Sequence, residues 1–365
     1  MMYPTSGYQV VYRFEGGQHG PDPANPSAGL TKFRGILYGT TESGGENSWG
    51  SVFTVTPSGK EKTLYSFKGQ MDGALPEASL TAVNGTFFGT TQAGGGTPYG
   101  EGTVFEVTAK GAEKVVYAFR GEPDGSRPLS TLIPENGFLY GTTVNGGTGS
   151  CGTSGCGTIF KVTESGSESI IHSFAGAPDG AYPESGLLYF DGAFYGTTAE
   201  GGPNNNGTVF KITPSGTEYV IYSFKSMPDG TQPQASLTAL GGVLYGSTMY
   251  GGAHDGGTVF SITTLGSERV IYSFRHNSKP TGKLLAANGT LYGTTSCGSG
   301  CDGEAFMITT SGDVTFLHHF GRANDGSSPN GGLIVLKRQL YGTTHGGGLN
   351  LCDGNGCGTV FRLDL

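Results

Sequence analysis

The feature that most constrains this chain is a sequence unit of about 50 residues that recurs seven times. Each unit contains the tetrad Tyr-Gly-Thr-Thr or a near variant, and the copies begin at Tyr38, Phe88, Tyr140, Tyr195, Tyr245, Tyr292 and Tyr341. Two other markers, one resembling Gly-Thr-Val-Phe and one resembling Val-Tyr-Ser-Phe, also occur seven times each. Three markers that agree on one count fix the number of repeats.

The second copy shows how one unit is organised. Segments 78–83, 86–91, 103–108 and 113–119 have the composition and alternation of short strands, and Asn84-Gly85 is a hairpin signal between the first two. No segment has a sustained apolar period of about 3.6 residues, so helix content should be close to nil. Four short strands per repeat predict an all-β fold, a seven-bladed β-propeller with four strands per blade.

The two ends of the chain predict how the ring closes. The chain starts with a lone fourth-strand motif at 8–14 and ends after a third-strand motif at 358–365. Pairing of these segments removes two exposed sheet edges, whereas an open solenoid would need polar capping repeats that neither end has. We expect a single domain, residues 1–365, with blades at about 26–67, 77–119, 129–174, 184–224, 234–274, 281–320, and 330–365 plus 8–14.

The ordered motifs Leu-Tyr-Gly-Thr-Thr, Gly-Gly, Gly-Thr-Val-Phe and Asp-Gly-x-x-Pro resemble the bacterial GloVer tandem repeat over nearly the whole chain. The resemblance implies a propeller in a secreted or surface-anchored bacterial protein. It implies no catalytic residues, because that family has no general catalytic signature.

Charge and hydrophobicity exclude several classes of function. The 21 Lys and Arg residues against 29 Asp and Glu give a net charge of −8, which disfavours binding to nucleic acids and to anionic membranes. No apolar run reaches the length of a membrane span. The sequence predicts no cofactor and no metal site, and we expect a monomer.

Propeller connectivity places two kinds of loop on opposite faces. Turns such as 84–85 and 57–59 are short and repetitive, whereas loops between second and third strands, such as 92–102 and 345–358, are long and varied. Variable loops on a rigid scaffold are frequent ligand sites, so the long-loop face is the expected functional face. The alternative is that long Gly-rich loops are only tolerated there.

Four residues on the long-loop side are candidate catalytic groups. Glu77 and Glu184 follow linker prolines and should lie near the mouth of the central channel, where paired carboxylates could act on a glycosidic bond. His254 and His345 lie in the long-loop set and could transfer protons or bind a ligand. Lys283 stands where other copies have Gly, Ser or Thr, and it should approach the channel. The alternative is that these are ordinary polar residues of the scaffold.

A repeated Asp-Gly-x-x-Pro motif lies between blades. Its aspartates are Asp72, Asp124, Asp179, Asp229 and Asp325. Asp-Gly favours a tight turn and Pro fixes the entry into the next strand. One Asp per blade does not supply the six or so oxygens of a calcium site, so a structural role is favoured. The sixth copy, 276–280, lacks the Asp and should differ locally.

Aromatic loop residues favour recognition of sugars. Trp49, Tyr99, Tyr182 and Tyr250 lie outside the repeated strand motifs, and Asp255 lies in the same loop set. Aromatic faces stack on sugar rings, and neighbouring carboxylates accept hydrogen bonds from hydroxyls. These five residues are the predicted ligand contacts, and packing between blades is the alternative for the aromatic ones.

The six cysteines form three local pairs, Cys151 with Cys156, Cys297 with Cys301, and Cys352 with Cys357. An even count, close spacing and loop placement predict disulfides and an oxidising compartment. A zinc site made by the four cysteines of blades six and seven is the alternative, but it leaves the first pair unexplained. We expect an extracellular or cell-surface protein whose signal peptide has been removed.

The sequence therefore predicts a secreted or surface recognition module that binds a glycan or another cell-surface partner, most plausibly a carbohydrate, on its long-loop face. A polysaccharide lyase or glycoside hydrolase is the second interpretation. A structural or protein-binding scaffold is the third.

Overall fold

In a computed structural model that describes residues 7–16, 21–96, 100–297, 302–321, 325–349, 352 and 355–365, the chain forms seven antiparallel four-stranded sheets. The innermost strand of the first sheet contacts those of the second and the last, and innermost strands also contact one another between the second and third sheets and between the fifth and sixth. The architecture is the seven-bladed β-propeller that the repeats predict. The described residues contain no helix, and so none that is long and apolar enough to cross a membrane.

Each blade begins at the central channel. The innermost strands are Thr31–Phe33, Thr81–Val83, Ile133–Glu135, Leu188–Phe190, Thr238–Leu240, Leu285–Ala287 and Ile334–Leu336. The second strands, which carry the tetrad, are Ile36–Thr41, Thr86–Thr91, Phe138–Thr143, Ala193–Thr198, Val243–Thr248, Thr290–Thr295 and Gln339–Thr344.

The outer half of each blade follows the same order. The third strands are Ser51–Val55, Thr103–Thr108, Thr158–Thr163, Thr208–Ile212, Thr258–Ile262, Glu304–Ile308 and Thr359–Asp364. The outer strands are Glu61–Ser66, Glu113–Ala118, Glu168–Ser173, Glu218–Ser223, Glu268–Ser273, Val314–His319 and Gln9–Arg13.

Short two-residue ribbons join the linkers to the long loops on one face. They pair Pro23–Ala24 with Ser43–Gly44, Gly125–Ser126 with Asn145–Gly146, Gly180–Ala181 with Glu200–Gly201, Gly230–Thr231 with Tyr250–Gly251, and Gly326–Ser327 with Gly346–Gly347. In blade two a single bridge between Ala74 and Ala93 takes the place of the ribbon.

The chain ends close the ring as predicted. Gln9–Arg13 pairs antiparallel with Thr359–Asp364, and the register joins Gln9 to Arg362 and Arg13 to Thr359. The same sheet continues through Gln339–Thr344 to Ile334–Leu336. Both ends of the chain therefore build one blade.

Aromatic side chains join adjacent blades. The last Phe of each outer-strand motif packs edge-on against the third-strand Phe of the next blade, with ring centroids 5.0–5.2 Å apart at all seven interfaces. The tetrad glycine makes room for the second ring. A Cβ added at Gly196 would lie 2.4 Å from Cζ of Phe210. A Cβ added at any of the other six tetrad glycines would lie 2.5–2.7 Å from the ring of its third-strand Phe.

The tetrad threonines supply hydrogen bonds inside and between blades. The hydroxyl of Thr40 donates to the carbonyl of Ala78 in the next blade, at 2.9 Å. Thr343 makes the corresponding bond to the carbonyl of Ala28 across the closure, at 2.7 Å. The second threonine pairs with a third-strand hydroxyl, as Thr41 does with Ser51 at 2.8 Å. Burial of these strands thus leaves few polar groups without partners.

An acidic triad lies where most linkers meet the outer strands. Asp72 accepts hydrogen bonds from the Tyr65 hydroxyl at 2.5 Å and from the Lys68 backbone N–H at 3.0 Å. Glu113, the first residue of the next outer strand, lies beside them, and burial together with the Asp72 charge raises its pKa to about 7. The same triad of Asp, Tyr and Glu recurs around Asp22, Asp124 and Asp229.

The junction between blades five and six differs from the others. Its linker has no Asp, and Val314 occupies the position that Glu113 has in blade two. A cavity of about 500 Å³ lies there, with Tyr272, Arg275 and Phe316 in its wall. Loss of both acids thus accompanies a more open junction.

The close approach of the tetrad glycine to the Phe ring predicts a cost for any side chain there. Gly196→Ala should lower the free energy of unfolding by about 1–3 kcal/mol, because the new methyl group overlaps the Phe210 ring. Phe210→Leu removes ring atoms, so the double variant should lose less than the sum of the single losses. Chemical denaturation of the three variants measures this, and strictly additive losses would contradict it.

The glutamates of the triads between blades predict an unusual pH dependence of the free energy of unfolding. The pKa values of Glu61, Glu113, Glu168 and Glu268 are raised from 4.5 to about 7, first by burial and then by the neighbouring Asp. The unfolded chain releases these protons near pH 4.5 and the folded chain near pH 7. Their stabilising contribution is therefore complete below pH 4.5 and is lost as the pH rises through 7.

We accordingly expect a higher Tm at pH 5.5 than at pH 8, at constant ionic strength. Glu113→Gln should reduce the difference, because the amide keeps the shape of the protonated acid and does not titrate. The exposed Glu164→Gln is the matched control. A Tm that rises from pH 5.5 to 8 would contradict the prediction.

Candidate functional site

The central channel is lined mainly by the residues that lead into the innermost strands. Its cavity has a volume of about 270 Å³. One position per blade precedes a buried or nearly buried Leu, and its occupants are Gly29, Ser79, Thr131, Gly186, Ser236, Lys283 and Gly332. Lys283 is the charged member of this ring, as its sequence position suggests. Its side chain is exposed to the channel, but the surrounding protein removes it from bulk water. This desolvation lowers the pKa of its ammonium group.

A rigid rim surrounds the channel on the long-loop face. The residue before each linker proline has a left-handed backbone, with φ between 52° and 59°, and these residues are Asn25, Leu75, Arg127, Tyr182, Gln232, Lys279 and Ser328. The N–H of each donates to a loop carbonyl of the preceding blade. Its carbonyl accepts from the residue that follows the tetrad. Backbone bonds thus fix the rim whatever side chains it carries.

Two blades that meet at the ring closure contribute an ion pair to this rim. His345 and Glu42 each follow a tetrad, and His345 Nε2 lies 3.2 Å from Glu42 Oε2. The Ser27 hydroxyl donates to the same oxygen at 3.2 Å. The Asn25 side-chain amide donates to the backbone carbonyl of His345 at 3.0 Å. The hydrogen bond from His345 lowers the pKa of Glu42, so this carboxylate is ionised at neutral pH.

Glu77 lies close enough to Glu42, His345 and Glu184 for their charges to interact. Burial raises the pKa of Glu77 to about 7, and the Glu42 charge adds to that effect while Arg127 and His345 oppose it. Burial also raises the pKa of Glu184, which Arg127 lowers and Glu200 raises. Of the four predicted catalytic candidates, Glu77 thus interacts electrostatically with two others, His345 and Glu184.

The environments of two neighbouring carboxyl groups drive their pKa values apart. Glu42 is held as a carboxylate by His345, whereas Glu77 keeps its proton to about pH 7. In such a pair, the ionised group can act as a base and the protonated group can act as an acid. Arg127 adds a fixed positive charge, and its guanidinium lies 3.5 Å from the Asn145 side-chain oxygen.

Sequence reasoning missed Glu42, Arg127 and Glu200 as site residues. Glu42 directly follows a tetrad, Arg127 directly precedes a linker proline, and Glu200 lies two residues after a tetrad. Reading these positions across all seven repeats would have shown charged side chains at variable places of a constant frame.

The remaining catalytic candidate, His254, and the predicted contact Asp255 lie apart from this cluster. Both are exposed in the loop of blade five. The Asp255 side chain accepts a hydrogen bond from the Gly251 N–H at 3.1 Å, and its φ is 54°. Asn205 makes the same contact with Gly201 in blade four, so this geometry belongs to the loop.

The predicted aromatic contacts lie in three different settings. Trp49 packs on the segment after its outer strand, where a Cβ on Gly69 would lie 2.4 Å from the indole nitrogen. The Tyr182 hydroxyl donates to the Cys151 carbonyl at 3.1 Å. Tyr250 lies beside the rim residue Lys279, whose Nζ is 5.3 Å from the Tyr250 ring centroid. Tyr99 lies outside the described residues.

Disulfides fix two of the long loops. Cys151–Cys156 and Cys352–Cys357 are bonded as predicted. Cys297 is also disulfide-bonded, and Cys301 lies outside the described residues. The two described bridges pack against Gly176 and Gly16, the positions equivalent to Gly69 under Trp49.

These features define a class of protein, a seven-bladed β-propeller with an acidic channel mouth that contains one histidine ion pair. Residues 1–154 match the model of the Gloeobacter/Verrucomicrobia repeat family, which confirms the resemblance to the GloVer repeat over that part of the chain. No curated protein matches the chain in sequence.

Solved structures share the fold at low sequence identity. An oligogalacturonate lyase in complex with manganese matches with a TM-score of 0.58 and 12% identity, over 94% of this chain and 90% of that one. A candidate 6-phosphogluconolactonase from Bacteroides fragilis NCTC 9343 matches with a TM-score of 0.52 and 17% identity, over 81% and 83% of the two chains. At these identities the likeness shows the propeller fold alone.

The charges around the mouth predict coupled titration. Arg127 lowers the pKa of both Glu77 and Glu184, so Arg127→Met should raise both. Carboxyl titration followed by NMR measures this. Arg120→Met is the control, since Arg120 acts on the outer residue Glu168. Unchanged Glu77 and Glu184 titrations in Arg127→Met would contradict the proposed cluster.

Proposed function

We propose that this protein binds a carbohydrate at the mouth of its central channel, on the long-loop face. The observation that carries the proposal is a set of interacting charges at a rim held by backbone hydrogen bonds. Glu77 interacts with the His345–Glu42 pair, and Arg127 acts on both Glu77 and Glu184. Carboxylates and a guanidinium at fixed positions suit hydroxyl groups, which both donate and accept hydrogen bonds. Tyr182 is a rim residue and Tyr250 lies beside the rim residue Lys279, so both could stack on a sugar ring.

The negative charge at the channel mouth indicates which class of sugar would bind there. Four carboxyl groups face one arginine and one histidine at the mouth, and the whole chain carries a net charge of −8. Like charges in a partly buried site repel, so a polyuronate is disfavoured. A neutral glycan or one that contains amino sugars fits this field, and an ammonium group would lie between the carboxylates.

Two further observations support this proposal. Both solved structures with the higher TM-scores are described by activities on sugar-derived compounds, which agrees with a carbohydrate ligand in general terms. Disulfides in the long loops favour an oxidising compartment, where a secreted or surface protein would meet glycans.

Glycoside hydrolysis is the second candidate function, and the divergent pKa values of Glu77 and Glu42 favour it. A protonated Glu77 could donate to the leaving oxygen, while ionised Glu42 could act as base or nucleophile. A lyase acting on uronates has less support from the charge of the mouth.

Calorimetry with short oligosaccharides tests the binding proposal. Glucosamine oligomers and neutral oligomers should bind, and oligogalacturonate should bind more weakly. Glu77→Gln and Glu184→Gln should each weaken binding of the amino sugars at least tenfold at pH 8, because a negative charge is lost. Glu135→Gln, at the other end of an innermost strand, is the matched control. Tighter binding of oligogalacturonate, or equal effects of all three variants, would contradict the proposal.

Product analysis separates binding from hydrolysis. If Glu77 is the general acid, new reducing ends should appear, and their rate should fall as the pH rises past about 7. Glu77→Gln should abolish the reaction while binding of a neutral oligomer persists. Binding without any new reducing ends would leave recognition as the function.

A further inference from the structure

One interblade junction has a set of side chains found at no other described junction. Between blades three and four, His172 takes the place of the tyrosine, and it faces Asp179 of the linker and Glu218 of the next outer strand. One donor atom from each of the three residues lies within 4.8 Å of the other two.

The contacts of His172 differ from those of its equivalents. Tyr65, Tyr117 and Tyr222 donate hydrogen bonds to their aspartates at 2.5–2.8 Å. His318 in the sixth blade bonds Asp325 at 2.8 Å and stacks on Tyr8. His172 Nε2 instead lies 3.4 Å from Asp179 Oδ2 and is a buried nitrogen without a hydrogen bond among the described residues.

A buried nitrogen and a buried carboxylate oxygen at this junction have no hydrogen bond among the described residues. The orphan atoms are His172 Nε2 and Glu218 Oε1. Glu113, Glu168 and Glu268 also have such an oxygen, so the distinguishing atom is the histidine nitrogen. Leaving a buried polar atom without a hydrogen bond destabilises the fold, and a bound cation would remove that cost for both atoms.

The separation of two of the three candidate ligands fits a tetrahedral zinc ion, and the Glu218 oxygen lies within 4.8 Å of both. Zinc binds His nitrogen at about 2.0–2.1 Å and carboxylate oxygen at about 2.0–2.2 Å, so two ligands of one tetrahedral ion lie about 3.3–3.5 Å apart. The separation between His172 and Asp179 is 3.4 Å. Backbone N–H groups of Ala175 and Gly180 donate to Asp179 at 3.0 and 2.7 Å, which fixes the carboxylate in the way that supporting residues orient metal ligands.

We propose that His172, Asp179 and Glu218 bind one zinc ion, with a fourth position left for water. This site lies on the outer part of the ring, away from the channel mouth, and does not depend on the proposed function. The sequence analysis predicts no metal site, and this proposal departs from that expectation. By linking the outer strand of blade three to that of blade four, the ion would stabilise this junction.

Zinc titration of chelator-treated protein, in competition with a chromogenic chelator, tests the proposal. The wild-type protein should bind one equivalent, and the ion should raise its Tm. His172→Tyr should weaken binding at least a hundredfold and remove the Tm shift. This variant should fold, because a tyrosine at the equivalent position bonds the linker Asp at four other junctions.

His318→Tyr is the matched control, since it makes the same change at the equivalent position of blade six. It should keep one equivalent of zinc and the Tm shift. The proposal is overturned if the wild type binds no stoichiometric zinc, or if His172→Tyr binds it as tightly as the wild type.

Discussion

The contact between successive blades is the interaction on which the rest of this structure depends. A four-stranded blade cannot bury its faces alone, so each one relies on its two neighbours. The edge-on Phe pairs and the threonine bonds to the next blade's carbonyl repeat around the ring. Because Gln9–Arg13 completes the last blade, every blade has two neighbours and the ring has no exposed end.

The same contact explains why the fold can tolerate a variable site. The rim residues are held by backbone bonds at both their N–H and carbonyl groups, so their side chains are not needed for folding. Arg127, Tyr182 and Lys279 can therefore stand at equivalent positions without any change of backbone. A repeat scaffold of this kind separates the residues that build the ring from those that line the channel mouth, and the charged groups of the mouth belong to the second group.

The fold could be predicted in full from the repeat, whereas the site could be predicted only in part. Glu77, Glu184 and His345 were identifiable because they depart from a repeated frame. Glu42 was not, since its partner His345 is 303 residues away and meets it only through ring closure. Asp22 was hidden because Pro23 replaces the motif glycine. Trp49 could not be assigned from sequence, because only the structure shows that its indole covers Gly69.

Departures from the repeat carry physical information of two kinds. Some are compensated locally, as at His318, where the ring bonds Asp325 and stacks on Tyr8 in place of a tyrosine–glutamate contact. Others leave a polar atom unpaired. The hydroxyl of Thr295 has no partner among the described residues, because Glu304 replaces the third-strand hydroxyl and pairs with His319 at 2.8 Å instead. A substitution that leaves a buried group unpaired persists only if something offsets its cost. The His172 nitrogen, which has no hydrogen bond among the described residues, belongs to this second kind. The argument for a bound ligand is therefore stronger there than at His318, whose ring bonds Asp325 and stacks on Tyr8.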